Sequence, residues 1–129
     1  MADIIYVKGD IAKYFEYGGK FFCLGKDMKP LDYYLAIYNS RLAGEVIFEV
    51  RKDAGKNSPE SFIFRLQSSL EGKGVARTLV GMVEEEAKIK GIDLIKLNST
   101  NHGFWKHFGY EIDNENFTSS EAWKNLKSC

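Results

Sequence analysis

Between Phe62 and Leu97 the chain reads strand, glycine-rich turn, helix, strand, and this succession constrains the fold more than any other feature. Phe62-Ile63-Phe64-Arg65-Leu66 is β-prone, and strict alternation sets Phe62, Phe64 and Leu66 on one face, Ile63 and Arg65 on the other. After Gly72-Lys73-Gly74, the residues Ala76, Leu79, Val80, Val83 and Ala87 recur at helical spacing. Glu84 with Lys88, and Glu86 with Lys90, form i,i+4 pairs expected on the solvent side. Gly91 is a natural stop, and Ile92 to Leu97 reads as a strand parallel to the first, because a helix of that length is the usual crossover between parallel neighbours.

The remainder points to antiparallel pairing around this unit. Tyr33 to Tyr38 and Glu45 to Val50 are β-prone runs joined by Asn39-Ser40-Arg41-Leu42-Ala43-Gly44, a predicted hairpin, and Asp53 to Pro59 is a linker between two strands. Ile4 to Val7 reads as a short strand. Tyr14 to Leu24, with Gly18-Gly19 in its middle, fits either a hairpin or a helix broken by the glycines. A short helix is expected around Gly103 to Phe108, leading into Tyr110-Glu111-Ile112, and the tail ending Ala122-Trp123-Lys124-Asn125-Leu126 adds a strand or a short helix. The predicted class is α+β: a mixed, mostly antiparallel sheet around a central β-turn-α-β unit with flanking helices, in one domain over residues 1–129.

Eighteen basic and eighteen acidic side chains cancel, so no global field gathers a polyanion and nucleic acid is not an expected partner. No stretch approaches the roughly 20 apolar residues of a membrane span, and the start of the chain lacks a basic segment followed by an apolar run, so the expectation is a cytoplasmic protein without a membrane partner. Cys23 and Cys129 are too few for a disulfide framework and lack metal-ligand spacing. Cys23 reads as a small buried hydrophobe, and no metal site is expected.

A glycine-rich turn opening a helix aims unpaired backbone N–H groups and the positive helix end at one spot, where an anion fits; Gly72 and Gly74 let the backbone come close. Glycines also serve ligand-free turns, so the neighbours decide. A P-loop needs Lys and Ser or Thr after its last glycine, where this chain has Val75 and Ala76. A dinucleotide site wants a third glycine near Arg77 and an acidic residue at the end of the next strand, where Asn98 stands.

Glu71-Gly72-Lys73-Gly74-Val75-Ala76 resembles the central motif of the GNAT acyltransferase superfamily, Arg/Gln-x-x-Gly-x-Gly/Ala at the mouth of a long helix. A second resemblance follows in Asn98 just after the next strand, then Phe104-Trp105-Lys106-His107-Phe108 and Gly109-Tyr110; together they span about Tyr33 to Tyr110. The resemblance implies an acetyl-CoA-dependent N-acetyltransferase acting by direct attack of a primary amine, of a small molecule or a peptide. The pyrophosphate would lie on Glu71, Gly72, Lys73, Gly74, Val75, Ala76 and Arg77. The pantetheine arm would pair with the backbone of Phe64, Leu66 and Ser68, flanked by Asn98 and Trp105, and a backbone N–H near Leu66 would polarise the thioester carbonyl.

An amine nucleophile must lose a proton, and Glu45 and Glu49, on the neighbouring strand, are the candidate bases, acting directly or through water; alternation equally allows both to face solvent. Glu71 stands where the family favours Arg or Gln, with Lys73 and Arg77 to offset its charge. Trp105 stands where many members carry a tyrosine that protonates the leaving thiolate, and an indole N–H cannot, which leaves His107 or solvent for that step. His102 and His107 also fit plain surface or helix-packing roles. The alternative is therefore a GNAT-like domain that binds acyl-CoA or a protein partner without turnover. An exposed strand edge in so small a sheet also suits a homodimer.

Overall fold

Alternation in the first half of the chain yields strands, and the 3.6-residue period after Gly74 yields the long helix that covers them. The computed structural model describes residues 3–21, 30–51, 59–70 and 72–126. Along these residues run β1 (Ile5–Gly9), α1 (Ile11–Glu16), β2 (Asp32–Tyr38), β3 (Arg41–Arg51), β4 (Glu60–Ser68), α2 (Val75–Ile89), β5 (Leu94–Ser99), α3 (His102–His107), β6 (Glu111–Ile112) and β7 (Ser120–Asn125). The strands form one seven-stranded sheet in the order β1-β2-β3-β4-β5-β7-β6, in which only β4 and β5 run parallel. The expected α+β class and the central β-turn-α-β unit are both present.

The hairpin of β2 and β3 is longer than expected. Asn39 and Ser40, with φ of 52° and 62°, alone make the turn, and Arg41 to Gly44 already belong to β3. Two central residues at positive φ match the twist of the flanking strands. The aromatic segment after β1 resolves as a helix ending before the glycines: Asp10 caps α1 by accepting from the Lys13 N–H at 2.9 Å. Phe22 to Leu24, the rest of that prediction and the site of Cys23, lie outside the described residues, as does most of the Asp53 to Pro59 linker. The tail forms a strand, β7, inserted between β5 and β6.

Two apolar clusters sandwich the sheet. On one face α2 contributes Val75, Leu79, Val80, Val83 and Ala87 against Val46, Phe48, Ile63, Ile95 and Leu97, and Trp105 of α3 joins them. On the other face Tyr14 of α1 packs with Tyr33, Leu35, Ile37 and Ile47. α2 can lie this close to β3 because Gly44 has no side chain: a β-carbon there would stand 2.7 Å from Val75 Cγ1 and 2.8 Å from the Gln67 carbonyl oxygen. The helix stops at Gly91 as expected, with the Ile92 N–H returning to the Ala87 carbonyl.

The solvent-side pairs of α2 differ from expectation. Glu86 meets Lys90 at 3.6 Å but also accepts from Lys8 at 2.6 Å and Tyr34 at 2.7 Å, tying β1 and β2 to the helix. Glu84 turns to the Tyr110 hydroxyl at 2.8 Å and to Lys124. Both carboxylates sit where the helix meets the sheet, and contacts between elements displace purely local pairs.

Candidate functional site

The site begins where two parallel strands separate. β4 pairs with β5 only from Glu60↔Leu94 to Ile63↔Leu97, yet β4 continues to Ser68 and β5 to Ser99. A bulge marks the same place: on the β3 side the register passes from Phe48↔Ile63 to Ile47↔Arg65, leaving Phe64 as the extra residue. A bulge bends and twists its strand, which turns β4 away from β5. Beyond Ile63, the β4 edge facing β5 has no strand partner among the described residues. The far end of β4 is pinned to β3, since Ser69 donates from both N–H and Oγ to the Ala43 carbonyl, at 2.9 and 3.1 Å.

The bulge also corrects the alternation predicted for β4. Phe62 and Phe64 stack edge to face with centroids 5.0 Å apart, and Arg65 reaches Glu45 beside Tyr14, all on the α1 face. Ile63 and Leu66 pack into the cluster under α2. One added residue thus places Phe64 and Arg65 side by side, and Leu66 opposite Phe64.

A cleft of about 450 Å³ opens in the splay, lined by Ile63 to Ser68 of β4, Ala76 of α2, Leu97 and Asn98 of β5, and Thr100, Asn101, Phe104 and Trp105. Ala76 and Leu66 belong to the α2 side of the sheet, Phe64, Arg65 and Gln67 to the α1 side, so the cleft passes through the sheet. At its α2 mouth stands the glycine turn. Gly72 and the N-cap Gly74 hold φ of 70° and 68°, a conformation L side chains avoid, and no side chain caps the helix. The first helical bond closed here is Thr78 N–H to the Gly74 carbonyl, so the preceding N–H groups have no partner within the helix. A β-carbon at either glycine would meet nothing within 4 Å, so the space before the helix is open.

Of the residues expected to bind the cofactor, Phe64, Leu66, Ser68, Ala76, Asn98 and Trp105 line this one cleft. Gly72, Lys73 and Gly74 form the exposed turn beside it. Val75 is buried in the core, and Arg77 lies with its guanidinium 5.7 Å from the Phe108 ring centre. Glu71 lies outside the described residues. Trp105 is 6% exposed, packed edge-on against Phe104 and Tyr110.

The three candidates for proton transfer stand outside the lining. Glu45 and Glu49 are buried in the sheet face rather than solvated. Glu45 accepts from Arg65 Nε at 2.8 Å and from Tyr14 at 3.4 Å; Glu49 accepts from Arg51 Nε at 2.8 Å. Burial pushes the Tyr14 phenol above its ordinary value. His107 is exposed and meets the Phe108 ring edge. His102 is a structural pin: its Nε2 donates to the Phe117 carbonyl at 2.6 Å, since a carbonyl only accepts, and Nδ1 pairs with Ser99 Oγ at 2.7 Å. Ile63, Arg65, Gln67, Leu97, Thr100, Asn101 and Phe104 also line the cleft, none of them expected from the sequence to bind the cofactor. Of these, Asn101 carried a readable signal as the N-cap of α3, accepting from the Phe104 N–H at 3.3 Å.

No group of three metal-ligating side chains occurs among the described residues, and no helix there is long and apolar enough to cross a membrane. A mixed sheet splayed at its one parallel pair, with an uncapped helix N-terminus at the opening, defines a class of fold built to hold an extended ligand with an anionic end. The chain belongs to the Acetyltransferase (GNAT) family, which matches residues 8–110. No curated protein matches the sequence. Among solved structures, the fold resembles the PaiA N-acetyltransferase of Thermoplasma acidophilum in complex with coenzyme A, with TM-score 0.62, 17% identity, and 78% of this chain and 64% of that one covered. This chain therefore spans less than two thirds of that relative. Arabidopsis thaliana Naa50 in complex with the bisubstrate analogue CoA-Ac-MVNAL is similar at TM-score 0.60 and 20% identity over 72% of each chain. A GNAT-family acetyltransferase of Staphylococcus aureus Mu50 is similar at TM-score 0.69 and 14% identity, over 97% of this chain and all of that one.

Proposed function

We propose that the protein is an acetyl-CoA-dependent N-acetyltransferase whose acceptor is a primary amine. The observation that carries this reading is the meeting, in one cleft, of an uncapped helix N-terminus with an unpaired strand edge. The N-terminus of α2 suits the pyrophosphate, with Lys73 and Arg77 supplying positive charge near it. The bare edge of β4 at Phe64, Leu66 and Ser68 suits the amides of a pantetheine arm, which would otherwise be buried unpaired. Asn98 and Trp105 form the facing wall.

Acetyl-CoA supplies an activated acyl group: a C–N bond forms as the C–S bond breaks, the nitrogen loses one proton and the thiolate regains one. A backbone N–H near Leu66 is a preorganised donor for the charge that develops on the carbonyl oxygen. Glu45 is already engaged by Arg65 and Tyr14, and Glu49 by Arg51. We assign Glu45 the positioning of Arg65 at the cleft wall, and the amine's proton to water in the open cleft.

Isothermal titration with CoA and acetyl-CoA, on the wild type and Gly74→Glu, tests the reading. Glutamate at φ 68° is strained and sets a negative charge before the helix end. Micromolar binding abolished by the substitution in a folded variant is the expected result. A folded wild type that binds neither compound would sink the proposal, and binding without CoA release in the presence of amines would leave a binding domain.

A further inference from the structure

Resting on that reading, the structure also speaks to the acceptor. With the α2 mouth of the cleft given to the anion site, an amine must arrive at the α1 mouth, whose wall is Phe64, Arg65 and Gln67. The bulge decides what this mouth presents. By bringing Phe64 onto the same face as Arg65, it leaves a phenyl ring 36% exposed at the cleft, supported edge-on by Phe62. Beside it Phe21, 49% exposed, lies under the Arg65 guanidinium, 3.7 Å from its ring centre.

Among the described residues, the charges nearest Phe64 on this face are already paired. Arg65 pairs with Glu45 at 2.8 Å, Arg51 with Glu49 at 2.8 Å and with Glu60 at 3.7 Å, and Lys96 with Glu60 at 3.6 Å. Three cations thus balance three carboxylates, and Glu45, Glu49 and Glu60 are only 4%, 7% and 8% exposed. A polyamine needs accessible carboxylates for its further ammonium groups; those beside Phe64 are withdrawn into the sheet, and exposed Glu121 stands on the far side of the cleft, beyond β5 at the register of Asn98. An apolar group meets two exposed rings, and covering them removes area from water at about 25 cal/mol per Å².

We propose that the acceptor is a primary amine carried on an aromatic or bulky aliphatic skeleton, with Phe64 as the residue that selects it and Phe21 at its rim. Acetylation of 2-phenylethylamine and of 1,4-diaminobutane by the full chain, followed as CoA release, tests this. The expected result is a kcat/KM at least about tenfold higher for the aromatic amine. Phe64→Ala should reverse most of that preference through the KM of the amine and Phe64→Leu should restore part of it; because both amines are compared in the same variant, any change in CoA affinity cancels from the ratio. Preference for the diamine, an unchanged ratio in Phe64→Ala, or neither turnover nor saturation-transfer binding of phenylethylamine by a protein that binds CoA would overturn this inference alone. Failure to bind CoA would remove the functional reading beneath it.

Discussion

Glu45 shows how a residue's neighbours narrow its chemistry. A carboxylate on the strand beside the splay is well placed for a general base, but here it is 4% exposed and spends one oxygen on both Arg65 and Tyr14. Glu45→Gln keeps the shape and an acceptor oxygen while removing the charge that holds Arg65. If Glu45 positions Arg65, kcat/KM should fall by less than about tenfold and the pH–rate profile should keep its shape. A loss of about 10²–10⁴-fold together with disappearance of the rising limb would make Glu45 the base instead. Which of these roles it fills was not legible in the sequence, since alternation fixes the face of a strand residue but not its partners. The bulge at Phe64 was equally hidden, because Phe62, Phe64 and Leu66 obey strict alternation as letters and depart from it only when β4 leaves β5.

At the scale of elements, the cleft depends on how closely α2 sits on the sheet, and Gly44 sets that distance. Gly44→Ala puts a methyl 2.7 Å from Val75 Cγ1 and 2.8 Å from the Gln67 carbonyl oxygen, and backbone cannot yield as a side-chain tip can. Overpacking of this kind costs about 1–3 kcal/mol, read as a lower urea midpoint at constant m-value. Val75 is the first residue of α2, so the same methyl should push the helix N-terminus off the sheet and weaken CoA binding more than a remote core substitution of equal cost. Equal weakening by both would separate the anion site from helix placement. The β-turn-α-β unit was legible because two periodicities flank a glycine turn within one short stretch; that Asn98 and Trp105 line the cleft was an expectation from the family resemblance and not from periodicity. The place of β7 between β5 and β6 was not legible, because Ser120 to Asn125 mixes polar and apolar residues on both faces and its pairing is set by the sheet edge it meets.

Across the whole molecule, the tyrosines that join sheet to helix set an alkaline limit on stability. Burial and the Glu84 carboxylate push the Tyr110 phenol far above its ordinary 10.0. Burial and the Glu86 hydrogen bond do the same for Tyr34, and burial also raises Tyr14. The hydrogen bond to Glu86 raises the Lys8 ammonium above 10.5. A group whose folded pKa is raised holds its proton longer when folded, so its contribution is complete below the unfolded value and is lost as pH climbs towards the folded one. All four act in the same direction, and the melting temperature should fall steeply above about pH 10. On the acid side two shifts oppose each other. Burial raises Glu86, but its bonds to Lys8 and Tyr34 outweigh that and leave it lowered, so it loses stabilisation as pH falls; burial raises Asp32, which then favours the folded state. The acid limb from this network should therefore be shallow. Tyr110→Phe gives the discriminating measurement: it forfeits the hydrogen bond to Glu84, about 1.5–3 kcal/mol for a bond to a charged group, and so melts lower at pH 8. As pH rises past 10 the wild type alone pays for keeping this phenol protonated, at up to about 1.4 kcal/mol per pH unit, and the gap between the two proteins should narrow. A gap that stays constant to about pH 11 would mean that Tyr110 titrates alike in the folded and unfolded chain, and that the alkaline limit lies with Lys8, Tyr14 and Tyr34.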